Sequence, residues 1–240
     1  MNNFISLSIC IPAFNEEDAL NLVVEDLIAV LLQHIDKLEI IIVNDGSRDS
    51  TFKIAYKLSK KYDFVKIVKH ESNQGIGSCF RDALMIAKGE YFTWFPADYE
   101  NSAYEIVGCL GYLNKSSIIT SHHKGFDSRS KLRKIISIVY TLMYNSFFGL
   151  KIKYYNGLTI FPVETLRSLN LRSNGFAIFA ESIIKSLNSG VKIVELSIPL
   201  NKRSCGRSKS LTLISFLRMV RDMRWILKEY KPVSKLHLLI

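Results

Sequence analysis

The chain is short of long apolar runs and of cysteine, and each shortage excludes a class of protein. No stretch reaches the roughly 18 uninterrupted apolar residues that a membrane-spanning helix needs. The longest uncharged stretch, 135–150, is interrupted by Ser, Tyr and Asn. The four cysteines are scattered without a C-x-x-C pair, which argues against a zinc site or a disulfide framework. The first residues carry no basic region and no cleavage signature, so we expect a cytoplasmic protein.

The chain is instead rich in apolar and basic residues. Of its 240 residues, 48% are hydrophobic and 11% aromatic, which is enough for a packed core. The formal net charge of +10 favours anionic partners, namely phosphates, a lipid surface or nucleic acid. The sequence has no recognisable nucleic-acid motif, and we therefore expect no nucleic-acid partner.

Apolar strand-like runs alternate with helical patterns four times in the first half. The runs are LSICIPAF, LEIIIVNDGS, FVKIVKH and EYFTWF, and apolar residues recur at helical spacing after each. Asn15 and Ser102 stand where helix N-caps are expected, the latter with Glu105 three residues on. This alternation predicts an α/β fold with a mostly parallel sheet flanked by helices on both faces. We expect one domain over residues 1–210 and a C-terminal amphipathic helical appendage over 211–240.

Three polar loops follow predicted strands directly. They are PAFNEE, NDGS and PADYE, and ligands of open α/β sheets bind at the carboxyl ends of the strands. The last loop holds Asp98 and Glu100, whose oxygen ligands suit Mg²⁺ or Mn²⁺ when a substrate phosphate completes the site. Taken alone, such acids are more often ordinary solvated loop residues. Asp45, in the second loop, is placed to accept from a nucleobase or ribose.

Further candidate residues lie in other loops. The segment 201–210 places Arg203, Arg207 and Lys209 in a Gly- and Ser-containing loop, which is either a phosphate-gripping flap or a solvated basic turn. The segment NQGIG supplies glycines that allow a ligand to approach the backbone. His122 and Glu181 are weaker candidates for catalysis.

The last predicted helix has one cationic side and one apolar side. Its basic residues Arg218, Arg221, Arg224 and Lys228 fall within one sector, opposite Phe216, Met219, Val220, Met223, Ile226, Leu227 and Tyr230. Either this helix packs on the core with a solvated basic side, or it lies on an anionic membrane surface.

The motifs PAFNEE, VNDGS, NQGIGSCFRDAL, FPADYE and RSCGRSK occur in an order that is similar to one known family. Together they resemble the family 2 glycosyltransferases of GT-A fold, over about residues 6–210. The last motif resembles the branch of dolichol-phosphate mannose synthase and the polyprenyl-phosphate sugar transferases. The resemblance implies an inverting transfer from a nucleotide-sugar donor that needs a divalent cation.

The resemblance also implies roles for individual residues. Asp98 and Glu100 correspond to metal ligands, and Asp98, Arg203 and Lys209 to catalytic groups. The donor-binding residues that it implies are Pro12, Phe14, Glu16, Val43, Asp45, Ala97, Asp98, Arg203 and Lys209.

The chain departs from the family pattern at two positions. Pro96 replaces the first acid of the usual Asp-x-Asp motif, and we expect Glu100 to restore the lost negative charge. His122 replaces a common arginine, which leaves the acceptor open. A polyprenyl phosphate needs no general base and is the favoured acceptor, which places the protein peripherally on the cytoplasmic face of a membrane. The alternatives are a transferase acting on a sugar hydroxyl of a lipid-linked acceptor and a non-catalytic nucleotide-sugar-binding protein.

Overall fold

The structure, a computed structural model, describes residues 4–124, 131–199 and 213–230. Within those ranges the strands are β1 (Ser6–Ala13), β2 (Lys37–Asp45), β3 (Val65–His70), β4 (Tyr91–Trp94), β5 (Ser117–Lys124), β6 (Thr159–Pro162) and β7 (Lys192–Pro199). The helices there are α1 (Leu20–Leu31), α2 (Thr51–Lys61), α3 (Ile76–Ile86), α4 (Tyr104–Leu110), α5 (Lys131–Phe148), α6 (Val163–Ser168), α7 (Ala177–Asn188) and α8 (Leu213–Glu229).

The strands form one sheet in the order β3-β2-β1-β4-β6-β5-β7. Strand β6 runs antiparallel to β4 and to β5, and the other neighbouring pairs are parallel. The predicted α/β fold with a mostly parallel sheet is therefore confirmed.

Apolar side chains cover both faces of the sheet. Along β2, Ile41 and Val43 face the side covered by α3, α5, α6, α7 and α8, and Ile40 and Ile42 face the side covered by α1, α2 and α4. Because successive side chains of a strand point to opposite faces, a strand buried on both sides must be apolar throughout. The continuous apolar run of β2 is thus explained by the two helical layers.

Helix α8 packs its apolar side on the core. Met223 and Ile226 are 5% and 1% exposed, and the hydroxyl of Tyr230 donates to the carbonyl oxygen of Phe148 in α5 over 2.9 Å. The apolar side of this helix is therefore packed on the core and its basic side is outermost, and contact of the basic side with a membrane stays a prediction. The predicted boundary at residue 210 falls outside the described residues, and the division into 1–210 and 211–240 stays a prediction. Among the helices of the described ranges, none combines the length and the apolar character that crossing a membrane requires.

Two predicted helix starts were wrong in detail. Helix α1 begins at Leu20 with Ala19 as its cap, because Asn15 adopts a left-handed backbone with φ of 54° and belongs to the preceding loop. The N-cap of α4 is Ala103, although the Ser102 hydroxyl still accepts a hydrogen bond from the Tyr104 N–H at 3.4 Å. Helix α6 was not predicted, since six residues are too few for a periodic pattern.

Candidate functional site

The three polar loops meet at one edge of the sheet, as the sequence predicted. Ala13 at the end of β1 pairs with Asn44 of β2, and Cys10 of β1 pairs with Trp94 of β4. The backbone N–H of Phe95 donates to the Cys10 carbonyl over 2.8 Å, so the loop holding the acids leaves the sheet beside β1. This edge is called the rim below.

Hydrogen bonds tie the loop after β1 to the loop after β2. The Asn15 N–H donates to the Ser47 hydroxyl over 3.0 Å, and the Asn15 side-chain oxygen accepts from the Arg48 N–H at 2.9 Å. The Glu16 N–H donates to the Thr51 hydroxyl over 2.8 Å. These contacts hold both loops in a single conformation at the rim.

Asp49 is the anchor of the same junction. Its carboxylate accepts from the backbone N–H and the hydroxyl of Thr51, at 3.0 and 2.6 Å, and from the Glu17 N–H at 3.3 Å. Partial burial tends to raise the pKa of Asp49, but the hydrogen bonds outweigh it and the pKa is lowered. The ionised carboxylate is therefore the form that holds the two loops together.

The predicted donor-binding residues of β1 and β2 differ in exposure. Phe14 is 38% exposed at the rim, while Pro12 and Glu16 are half-buried. The side chain of Val43 is fully buried in the core, where it packs beneath the rim. An exposed aromatic face at this edge is suited to stacking on a flat base.

Asp45 is buried and holds the loop that follows β3. Its carboxylate accepts from the backbone N–H groups of Gln74 and Gly75 at 2.8 and 2.9 Å. The Nδ1 atom of His70 lies 2.7 Å from the same carboxylate. The structure thus places Asp45 at the rim, where its carboxylate already bonds to Gln74, Gly75 and His70.

His70 is a site residue that the sequence did not reveal. Its Nε2 atom lies 2.9 Å from Asp82 of α3, so the buried ring joins two carboxylates. Asp45, His70 and the thiol of Cys79 also lie within 4.8 Å of one another, close enough for a metal site. The 2.7 Å contact of His70 with Asp45 is a hydrogen bond, and burial raises the pKa of Cys79 and keeps it a thiol. We therefore interpret this cluster as a hydrogen-bonded network.

The glycines of NQGIG serve close packing within the protein. A Cβ on Gly77 would lie 2.0 Å from the Ser173 carbonyl oxygen, and Gly75 adopts φ of 94°. The Gly77 N–H donates to the Asn174 carbonyl over 2.7 Å, and the Arg81 guanidinium bonds both Ser173 and Asn174. We expected these glycines to let a ligand approach the backbone. In the structure it is the loop before α7 that approaches Gly75 and Gly77.

The acid loop follows β4. Asp98 is half-buried and Glu100 is exposed, and between them Tyr99 adopts a left-handed backbone with φ of 58°. The Asp98 carboxylate accepts from the Glu100 N–H at 3.2 Å. Ala97 is 4% exposed and anchors the loop, whereas Pro96 is half-buried. A pair of carboxylates on a tight turn is a donor set that fits Mg²⁺ or Mn²⁺.

Three buried polar groups near the rim have no hydrogen-bond partner within the described part of the chain. They are the side-chain oxygen of Asn44, the indole N–H of Trp94 and the amide of Asn156. Trp94 is stacked on Phe179 at 4.3 Å between ring centroids. Because buried polar groups are nearly always hydrogen-bonded, these atoms are available to water or to a polar ligand. Sequence reasoning missed them, although Trp94 directly precedes the acid loop.

His122 lies at the same edge of the sheet as the rim, because β6 runs antiparallel to both β4 and β5 and the carboxyl ends of β4 and β5 therefore point the same way. Its side chain is half-buried on β5. Arg203, Arg207 and Lys209 lie outside the described residues. The phosphate-gripping role of the segment 201–210 stays a prediction.

Glu181 is a structural residue. Its carboxylate is 2% exposed, accepts from the N–H groups of Arg172 and Ser173 at 3.0 and 2.8 Å, and pairs with Lys185 at 2.8 Å. These contacts anchor the loop before α7, so Glu181 is poorly suited to act as a base.

The mostly parallel sheet, with polar loops and a carboxylate pair at one edge, has the architecture of the glycosyltransferases of GT-A fold, and the comparisons with known proteins agree with it. The chain belongs to glycosyl transferase family 2, whose profile matches residues 8–173. A dolichyl-phosphate beta-glucosyltransferase of Trichomonas vaginalis is 25% identical over 236 residues, which cover 91% of this chain and 72% of that protein. A dolichol-phosphate mannosyltransferase of Pyrococcus furiosus is 27% identical over 233 residues, covering 92% and 64%.

The solved structures confirm the fold. Glucosyl-3-phosphoglycerate synthase of Mycobacterium tuberculosis, crystallised with Mn²⁺, uridine diphosphate and phosphoglyceric acid, superposes with a TM-score of 0.71. The superposition covers 94% of this chain and 78% of the synthase at 17% identity.

Proposed function

We propose that this family 2 glycosyltransferase moves a sugar, with inversion, from a nucleotide-sugar donor to a polyprenyl phosphate at the cytoplasmic face of a membrane. The observation that carries the proposal is the similarity, along more than nine-tenths of the chain, to enzymes named for transfer to dolichyl or dolichol phosphate. The cytoplasmic location is supported by Cys10, Cys79 and Cys109, which are free thiols.

The donor is placed at the rim. Its base would lie against Pro12 and the exposed ring of Phe14, with Glu16 and Asp45 beside the ribose. The indole N–H of Trp94 and the amide of Asn156, which have no partner among the described residues, are suited to hydrogen bonds with sugar hydroxyls. Arg203 and Lys209 would grip the diphosphate, as the family resemblance implies.

Asp98 and Glu100 would hold Mg²⁺ or Mn²⁺ at the rim. When bound, the cation supplies positive charge that stabilises the leaving nucleoside diphosphate. Glu100 compensates for the acid that Pro96 replaces, because the ligand set then keeps its net charge. The loop that carries both acids is fixed to the sheet through Phe95, which limits its reorganisation during transfer.

A phosphate is the proposed acceptor because a phosphate needs no general base at the site. A phosphate oxygen is already anionic near neutral pH, so it forms a bond to the anomeric carbon while the bond from that carbon to the diphosphate oxygen breaks on the opposite face. A hydroxyl acceptor would have to lose a proton to a base. Glu181, the base candidate of the second half, is committed to Arg172, Ser173 and Lys185.

The test is a transfer assay with purified protein. A panel of labelled nucleotide sugars is offered with either a polyprenyl phosphate or a lipid-linked saccharide, with Mg²⁺ or Mn²⁺ added. We expect product with the polyprenyl phosphate, and a loss of about 100-fold in kcat for Asp98→Asn. Asp63→Asn, in an exposed turn outside the rim, is the matched control. Product with the lipid-linked saccharide alone contradicts the proposed acceptor, and nucleotide binding without any transfer contradicts catalysis.

A further inference from the structure

The outer side of α5 carries an apolar stripe. Ile135, Ile138 and Leu142 are 57%, 57% and 63% exposed, and Val139 lies among them at 45%. Their spacing of three and four residues places them on one side of the helix. The stripe, defined as Ile135, Ile138, Val139 and Leu142, is a continuous patch of exposed aliphatic side chains.

The stripe is unusual because the opposite side of α5 is already buried. Tyr140, Tyr144 and Phe148 are 1%, 0% and 3% exposed and pack in the core. A helix at the surface of a globular protein normally turns polar residues outward, and one that is apolar all round is normally covered on all sides. The outer side of α5 is therefore suited to contact another apolar phase.

The charge around the stripe is positive. Residues 131–148 contain no acid, and the first turn of α5 carries Lys131, Arg133 and Lys134. Arg221, Arg224 and Lys228 are exposed on the adjacent helix α8.

The acids of α8 offset only part of that charge. Asp222 is buried and pairs with Arg221 at 3.3 Å, and Glu229 pairs with Lys185 at 2.6 Å and with Arg172 at 3.3 Å. The exposed positive charge of α8 is therefore carried mainly by Arg224 and Lys228. Trp225, 52% exposed, lies on the same outer side, with the Lys228 ammonium 4.8 Å from its ring centroid. Exposed aromatic and basic residues beside an aliphatic patch are the composition of a bilayer interface site.

We propose that the α5 stripe inserts into the interface of an anionic bilayer while the basic side of α8 contacts lipid headgroups. The proposal rests on the proposed function, since a lipid acceptor is presented at such a surface. A second copy of the chain fits less well, because a symmetric contact through this surface would bring the basic residues of both copies together. Anionic lipid complements the same residues.

The test is binding to vesicles by co-sedimentation, which requires no catalysis. Phosphatidylcholine vesicles with and without phosphatidylglycerol are compared for wild type and for the double variant Ile138→Glu/Leu142→Glu. The matched control is Leu22→Glu/Leu32→Glu, which adds the same charge in α1 and at the residue that caps its C-terminus. These side chains are 48% and 52% exposed, and α1 lies on the other face of the sheet. Circular dichroism verifies that each variant is folded.

We expect wild type and control to bind the anionic vesicles and the stripe variant to bind at least about tenfold more weakly, because each inserted aliphatic side chain contributes to burial. Equal binding of the two double variants overturns the proposal. So does a wild-type dimer in sedimentation that the stripe variant dissociates, because a second copy then covers the stripe. Transfer to a short water-soluble polyprenyl phosphate, measured in parallel, separates failure of docking from failure of the proposed function.

Discussion

Removal of the His70 ring is expected to destabilise the rim more than any exposed substitution. The ring is 5% exposed and contacts Asp45, which is also 5% exposed, at 2.7 Å, and Asp82 at 2.9 Å. Hydrogen bonds to charged groups contribute about 1.5–3 kcal/mol each, and a buried charge that loses its partner costs about 3–5 kcal/mol. In His70→Ala, Asp45 keeps the N–H groups of Gln74 and Gly75, and Asp82 is 36% exposed to water. We therefore expect a loss near the lower end, about 3 kcal/mol.

Urea unfolding at neutral pH measures the effect as a change in the free energy of unfolding. His34→Ala, at an exposed histidine at the end of α1, is the control and should change stability by no more than about 0.5 kcal/mol. Asp82→Asn, which weakens one of the two contacts, should fall between the two variants. A loss below about 1 kcal/mol for His70→Ala would refute the argument, since the two carboxylates would then not depend on the ring.

Three further predictions concern packing and buried carboxylates. Gly77→Ala should cost more than about 2 kcal/mol in thermal unfolding, since its Cβ would lie 2.0 Å from a backbone oxygen, whereas Gly111→Ala, which meets nothing within 4 Å, should not. Burial tends to raise the pKa of Glu39, but hydrogen bonds from Lys66 and other groups outweigh burial, and the pKa is lowered overall. The ionised Glu39 therefore stabilises the folded protein fully above the pKa of the unfolded state, and this contribution is lost as the pH falls below about 4. Glu39→Gln should flatten that acid limb in unfolding measured against pH. Burial raises the pKa of Glu105, so ionisation at neutral pH opposes folding, and Glu105→Gln should be the more stable protein at pH 7, with the gain vanishing in acid.

The sheet and the rim could be predicted because their signals are local. The β-branched run of β2 is buried on both faces, and the polar residues that follow it stand directly at the strand end. Parallel pairing then brings the ends of β1, β2 and β4 to one edge whatever the details of the loops. The position of Asp98 and Asp45 at the rim thus follows from the parallel direction of these strands.

The contacts that hold the rim could not be predicted, because each joins residues far apart in sequence. His70 meets Asp45 across 25 residues, and Gly77 meets Asn174 across nearly one hundred. A glycine-rich segment indicates close approach of a backbone without revealing whether a ligand or another loop approaches it. Gly77 turned out to face the loop before α7. The start of α1 was misplaced for a related reason, since the Asn15 side chain serves the loop after β2 instead of the helix.

The two outer helices show why amphipathicity alone does not identify a membrane surface. Helix α8 has the stronger pattern, with basic residues opposite apolar ones, and its apolar side is used in packing through Met223 and Ile226. Helix α5 has the weaker pattern because both of its sides are apolar, and for that reason its outer side stays apolar after the core is complete. A helix that packs on a core uses its first apolar side there, so a second apolar side is the informative feature. In this chain the second apolar side of α5 corresponds to the uncharged stretch 135–150 of the sequence. That stretch is too short to span a bilayer, and the basic residues beside it suit the surface of a bilayer.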